Sequence, residues 1–233
     1  MTGEDVGTSP EDMALVRLET PYVGGLAHGS GDPSPYTAHG VFRAMQAAAV
    51  QAWGSGTLSG RRVAIQGCGH VGYQLALELH KAGAQLTVAD IEAENVRRVV
   101  DATGAKSVAP GEIFDVEADV FAPCALGGIL NDATIPRLRV SMVCGAANNQ
   151  LAGDRHGRAL AGRKILYVPD YVANAGGIIN GVRELGADAM RASAPDVETI
   201  YATTTEVLDL ARAHGIPPSE AADQLAQVRL QKP

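Results

Sequence analysis

Aromatic residues are scarce, with 3 Phe, 1 Trp and 6 Tyr in 233 residues, so there are few platforms for stacking single-stranded bases. Lysine is scarcer still: four, at Lys81, Lys106, Lys164 and Lys232. Three cysteines, Cys68, Cys124 and Cys144, form no CxxC pair and leave one over from any pairing. That fits buried, reduced thiols better than a disulfide framework. No stretch approaches the roughly 20 apolar residues that span a bilayer, and the opening MTGEDVGTSPEDM holds acids where a secretory leader needs basic and apolar runs. A cytoplasmic protein without a membrane partner is expected. Positive charge is also short, 19 Lys+Arg against 26 Asp+Glu for a net −7, which disfavours nucleic acid as a partner.

What is present is a globular balance of 46% hydrophobic and 19% charged residues, enough for one large domain or two small ones. The glycine, serine and proline of Gly24 to Pro35 predict a loop leading out of a short N-terminal arm. Helical spacing of Val41, Met45, Ala48, Ala49 and Ala52 predicts a helix entered at Ser34-Pro35 and stopped at Gly54. From Arg62 onward, short apolar runs alternate with helical stretches, the pattern of βαβ units on a parallel sheet. Strands are expected at Val63–Gln66, Leu86–Ala89, Val120–Ala122, Met142–Cys144 and Ile165–Val168, with helices over Tyr73–Ala82 and Glu92–Ala102. After Asn174 the chain reads mainly helical. The expected fold is α/β, a Rossmann-type doubly wound, mostly parallel sheet with helices on both faces and extra C-terminal helices.

Gly67, Gly69 and Gly72 follow a predicted strand and open a predicted helix. In that context the first glycine permits a tight turn, the second lets backbone approach a pyrophosphate, and the third lets helix and strand pack closely. The diphosphate would rest on the helix N-terminus, where free N–H groups and the macrodipole favour anions. Asp90 ends the second strand 23 residues after Gly67, where an acid accepts hydrogen bonds from the adenosine ribose and repels a 2′-phosphate. Ile91 and Glu92 offer no arginine, and Arg97 and Arg98 are expected to be solvated, so the cofactor read here is NAD rather than NADP. Cys68, His70 and Val71 fill the loop; Cys68 lies near a helix N-terminus that would lower its pKa and make it redox-sensitive. No cysteine, histidine and carboxylate cluster stands at ligand spacing, so no metal is expected. Arg43 and Arg155 are read as surface ion pairs, and His28 as an unassigned neighbour of the approach loop.

The segments EDVGT (Glu4 to Thr8), GDPSPYTAHGV (Gly31 to Val41), APCALGG (Ala122 to Gly128), GAANNQL (Gly145 to Leu151) and PDYVANAGGIIN (Pro169 to Asn180) resemble those of the glutamate, leucine, phenylalanine and valine dehydrogenases, the leucine, valine and phenylalanine branch above all. The resemblance implies an NAD-dependent oxidoreductase that reversibly deaminates an L-amino acid to a 2-oxo acid, or performs a related imine or oxo reduction. It implies Asp5 in proton transfer, Thr37 and Asn148 at the nicotinamide end, Ala125 and Leu126 as coenzyme neighbours, Ile91 beside Asp90, and Asn174 in the NAGG loop. Asn174 capping the next helix is the alternative. It also implies that most of the family's N-terminal substrate domain is missing, with its two lysines, one binding the substrate carboxylate and one assisting acid/base catalysis. The domains expected are an arm over 1–35, an NAD-binding Rossmann domain over 36–186 and C-terminal helices over 187–233. Three readings stay open: an active dehydrogenase, alone or completed by a homodimer or partner polypeptide; a non-catalytic NAD(H)-binding or interaction protein; and an incomplete gene product.

Overall fold

The computed structural model describes residues 2–5, 7–24, 32–185 and 196–231; the expectations for His28, Lys232 and the helix end at 186 fall outside them. Six parallel strands form one sheet: β1 (Arg62–Gln66), β2 (Gln85–Ala89), β3 (Lys106–Ser107), β4 (Val120–Pro123), β5 (Met142–Val143) and β6 (Leu166–Tyr167). Their spatial order is β3-β2-β1-β4-β5-β6, with Val63 beside both Leu86 and Val120. The chain therefore reverses direction across the sheet between β1 and β4. In open parallel sheets that reversal splays two loops apart and leaves a crevice at the carboxyl ends of the strands.

The central strands β1, β4 and β5 are apolar on both faces because helices and turns cover both. Successive residues alternate: Val63, Ile65, Val120, Ala122 and Met142 face one core, with α2 (Ser34–Trp53), α3 (His70–Lys81), α4 (Ala93–Thr103) and α8 (Thr199–His214). Ala64, Phe121, Val143 and Tyr167 face the other, with Phe114, Leu138 and Leu160 of the 3₁₀ turns and α5 (Arg155–Gly162). The buried stripe of α2 is small, Ala38, Ala44, Ala48 and Ala49, so neighbouring helices approach closely. The helix stops at Gly54, which adopts φ 74°, a left-handed conformation that favours glycine.

At the C-terminal end follow α6 (Asp170–Ala173), α7 (Gly176–Leu185) and α9 (Pro218–Leu230). Helix α8 packs on α2 through Ile200 and Leu208 and on α9 through Val207, Ala211 and Ala221. A charged clamp joins α2, α3 and α8: His39 Nδ1 lies 3.0 Å from Glu78, its Nε2 2.8 Å from Glu198, and Arg43 Nε 2.7 Å from Glu198.

The arm contains α1 (Pro10–Val16), a helix absent from the sequence-based expectations. Ser9 accepts from the Asp12 amide, and Asp12 accepts from the Ser9 N–H at 2.9 Å, a capping box that supports so short a helix. Thr2 and Val23 bridge, with Thr2 N–H donating to Tyr22 and Gly24 N–H donating to Thr2, both at 2.9 Å. Helix α3 begins at His70, three residues before its expected start, because the glycine loop leads straight into it. Strand β3 and helix α5 were also unexpected: β3 is two exposed residues without an apolar run, and α5 buries only His156, Gly157 and Leu160.

Candidate functional site

The crevice is floored by the turn from β1 into α3. Gly67 has φ +100°, and a Cβ there would lie 2.7 Å from the Ala125 nitrogen. Only glycine lets the β1 and β4 loops meet so closely. A Cβ on Gly72 would sit 2.0 Å from the Gly67 carbonyl oxygen, so α3 packs against the loop that precedes it. Gly69, in contrast, faces open space. At Gly69 the N-terminus of α3 thus leaves open backbone surface suited to an anion.

Asp90 leaves β2 and uses both carboxylate oxygens locally. The Cys68 N–H donates to Oδ2 at 2.5 Å and the Glu92 N–H to Oδ1 at 2.8 Å. Each carboxylate oxygen offers about two acceptor directions, so each retains one for a donor in the crevice. Beside it Ile91 is 85% exposed, and across the cleft Leu126 is 66% exposed. Uncovered aliphatic side chains flanking a polar acceptor are the usual lining of a ligand site.

The far wall is made by the β5 and β6 loops. The Asn174 amide donates to Asn148 Oδ1 at 2.6 Å and to the Ala146 carbonyl at 3.1 Å; it reaches across to the neighbouring loop rather than capping α7. Asn149 sits at φ 51°, and its N–H donates to Asp170 Oδ2 at 2.8 Å, while the Tyr167 hydroxyl donates to Asp170 Oδ1 at 2.6 Å. Burial, then the Asp170 charge, pushes the Tyr167 phenol upward, so it stays a donor. Sequence reasoning missed this Asp170–Tyr167 brace, since an aspartate after a proline reads simply as a turn. Thr37, near the start of α2, donates to the Pro33 carbonyl at 3.2 Å and lies against Gly177, whose Cβ would be 2.6 Å from the hydroxyl.

Asp5 is exposed on the arm, its N–H donating to Thr8 Oγ1 at 2.9 Å. Its neighbour Glu4 is the residue that meets the glycine loop, 3.3 Å from His70 Nδ1. Val71 continues α3, half-buried against the core.

Several expectations are corrected. Arg98 is exposed, as expected, but it is not free: its guanidinium stacks on Tyr73 at 4.4 Å and donates to the Cys68 carbonyl at 3.3 Å, whereas Arg97 forms a surface pair with Glu94. The two differ because α4 turns only Arg98 toward the loop. Cys68 is no activated thiol: it is fully buried, and burial, with the Asp90 charge, pushes it up to about 12. Burial raises Cys124 to about 12 and lifts Cys144 likewise. The absence of metal-ligand spacing did not anticipate Glu4, Asp32 and His70, whose ligand atoms all lie within 4.8 Å of one another. They come from three distant segments, so no local motif signals them. Arg155 pairs with Asp132 at the surface, whereas Arg43 is half-buried where it engages Glu198.

A profile of the Glutamate/Leucine/Phenylalanine/Valine dehydrogenase family matches residues 29–94 and 87–226. The chain belongs to this dehydrogenase family. It is 49% identical to the leucine dehydrogenase of Thermoactinomyces intermedius over 99% of this chain and 64% of that one, and 47% identical to that of Bacillus subtilis over 100% and 65%. Among solved structures, the L-tryptophan dehydrogenase of Nostoc punctiforme superposes with a TM-score of 0.84 at 42% identity, over 98% of this chain and 66% of that one. A hetero-hexameric glutamate dehydrogenase from Thermus thermophilus gives 0.76 at 25% identity, over 98% and 62%. The member of the dehydrogenase family described here thus spans about 64% of the length of those leucine dehydrogenases. These likenesses agree with the Rossmann-type sheet, and none of the described helices is long and apolar enough to cross a membrane.

Proposed function

We propose that this chain is the coenzyme-binding portion of an NAD-dependent amino-acid dehydrogenase, reversibly converting an L-amino acid to a 2-oxo acid and ammonia. The observation that supports it most is the Asp90 carboxylate, held by the Cys68 and Glu92 N–H groups beside an open Gly69. Its free acceptor directions suit the two hydroxyls of an adenosine ribose; a 2′-phosphate there would bring anion to anion. Arg98, the nearest guanidinium on α4, is already engaged by Tyr73 and the Cys68 carbonyl, which favours NAD over NADP.

In this reading the loop of Gly67, Cys68, Gly69, His70, Val71 and Gly72 receives the diphosphate, with Ile91 on the adenosine side and Ala125 and Leu126 along the β4 loop. Thr37, Asn148 and Asn174 orient the nicotinamide end, and Asp5 exchanges protons with the amino group and its water. When bound, the nicotinamide supplies the hydride chemistry. The chain's residues fix its face and distance from substrate, where orientation is worth about 7–11 kcal/mol of barrier. The units proposed are an arm over 1–35, a coenzyme domain over 36–186 and C-terminal helices over 187–233.

A second reading has a specific observation in its favour. Lys81 ends α3 and Lys164 precedes β6, both at the sheet end opposite the crevice, and Lys106 stands on the outermost strand. Among the described residues no lysine is thereby brought to the site, so amino-acid turnover would need a second copy or a partner polypeptide to supply the cation and cleft wall. Titration with NADH and NADPH by nucleotide fluorescence tests the coenzyme reading. NADH should bind about tenfold or more tightly, the equivalent of ~1.4 kcal/mol, and Asp90→Ala should abolish the preference. Equal affinity for the two would overturn it. Absorbance of NADH with ammonium and a panel of aliphatic and aromatic 2-oxo acids then separates the readings: consumption favours the first, binding without consumption the second.

A further inference from the structure

Beside the glycine loop, three side chains converge, and the coenzyme reading, which uses the backbone of that loop, does not account for their meeting. Glu4 comes from the arm, Asp32 from the residues leading into α2, and His70 from the first turn of α3. Their ligand atoms lie within 4.8 Å of one another, and Glu4 Oε1 is 3.3 Å from His70 Nδ1.

An ion pair between Glu4 and His70 explains only half of this. The Glu4 side chain is just 6% exposed, and its second oxygen, Oε2, is buried without a hydrogen-bond partner. Buried carboxylate oxygens are rarely left so. The next group is a second carboxylate: Asp32 accepts the Ser34 N–H on Oδ1 at 2.8 Å and keeps Oδ2 in hand. Burial, and then the charge of Asp32, raise the Glu4 carboxyl, with His70 only partly opposing them. Two acids and one imidazole brought together this way lack positive charge.

We propose that Glu4, Asp32 and His70 form a site for one divalent cation of the Zn²⁺ type, with water completing the coordination. One imidazole and two carboxylates make a mixed nitrogen and oxygen set that suits a borderline ion; hard Mg²⁺ and Ca²⁺ favour all-oxygen shells, and no thiolate faces the cluster to select a softer metal. Zinc at about 2.0–2.2 Å from each ligand sets tetrahedral neighbours roughly 3.3–3.6 Å apart, close to the Glu4–His70 separation. His70 is 62% exposed, which gives the ion an entry path and room for water. The cation would clasp the arm to the first turn of α3, making the arm's position depend on metal. Nothing in this site requires that coenzyme be bound.

The test uses the full chain, free of any affinity tag and stripped with a chelator, titrated calorimetrically with Zn²⁺ and separately with Mg²⁺ in the absence of nucleotide. One equivalent of Zn²⁺ should bind and raise the melting temperature, reversibly on chelation, with Mg²⁺ at least tenfold weaker. Glu4→Gln, Asp32→Asn and His70→Ala should each weaken Zn²⁺ about 10–100-fold or more, whereas His214→Ala, exposed on α8, and Cys124→Ser should not. Should Glu4→Gln fail to fold by circular dichroism, the Asp32→Asn and His70→Ala variants decide the matter alone. No saturable binding, equal affinity for Mg²⁺, or binding that survives His70→Ala and Asp32→Asn would overturn the proposal, as would its loss on Cys124→Ser.

Discussion

Replacing Gly72 by alanine should damage the fold, while the same change at Gly69 should spare it and damage coenzyme binding. At Gly72 the new Cβ would start 2.0 Å from the Gly67 carbonyl oxygen and 3.4 Å from Cys124 Cβ. Relief needs a movement of about 1.4 Å to reach ordinary contact, which begins near 3.4 Å. Little can yield, because the Gly67 N–H is tied to Ala89 at 2.8 Å and the Cys124 N–H to Gln66 at 2.6 Å. Overpacking against rigid partners costs ~1–3 kcal/mol, and a clash with the backbone carbonyl of Gly67, rather than with a flexible side chain, puts this case near the top. At about 2–4 °C per kcal/mol for a chain of this size, Tm should fall by roughly 6–12 °C. Gly69 has φ −64° and open space around it. Its alanine loses only a preferred N-cap, about 0.5–1 kcal/mol, so Tm should drop by roughly 1–4 °C. The methyl instead enters the open space in which the proposed function puts the diphosphate, and NADH affinity should fall at least tenfold. Differential scanning fluorimetry and nucleotide titration read the two effects separately. A Gly72→Ala protein melting within about 1 °C of wild type, or a Gly69→Ala protein binding NADH normally, would refute the reasoning.

Other predictions concern the braces around the cleft. Tyr167→Phe removes a buried donor from Asp170 and should cost about 1.5–3 kcal/mol, or roughly 3–12 °C in Tm; Tyr171→Phe, whose hydroxyl meets exposed Asp223, should cost under about 1 kcal/mol. For the clamp of His39, Arg43, Glu78 and Glu198, burial works to lower the His39 pKa, but its bonds to Glu198 and Glu78 outweigh this and hold it above the ordinary 6.5. The His39 bond, helped by Arg43, holds Glu198 below its ordinary 4.5. The His39 contribution is full below 6.5 and is lost as pH rises through its raised value; that of Glu198 is full above 4.5 and is lost as pH falls. The Tm deficit of His39→Gln should therefore be larger at about pH 5.5 than at about pH 8.5, and an equal deficit at both would count against the clamp. Asn174→Ala, which releases Asn148 and the Ala146 carbonyl, should weaken NADH more than it lowers Tm, as parallel titrations and melts would reveal.

Much of the sheet was legible because its strands are short apolar runs between helices: β1, β2 and β4 lie within a residue of their expected bounds. Strand β3 escaped because Lys106 and Ser107 have no hydrophobic signature; only pairing with β2 makes them a strand. The short helices α1 and α5 escaped because local capping and three buried residues, rather than a long periodic face, support them. The glycine loop and Asp90 could be read from spacing because their geometry is local to one βαβ unit. Arg98 could not, since its role depends on how α4 lies against Tyr73. Glu4, Asp32 and His70 belong to segments that meet only after folding, and sequence separation conceals such a meeting.

The two outer strands of the sheet, β3 and β6, are only two residues long. An exposed strand edge is a template on which another chain can pair backbone to backbone, and two residues offer too few free amides and carbonyls to hold such a guest. Both borders of this sheet are thereby closed to lateral growth. Exposed apolar residues lie instead off the strand edges, Leu15, Leu18 and Tyr22 of the arm among them, so a contact that buried them would leave the six-stranded sheet uninterrupted.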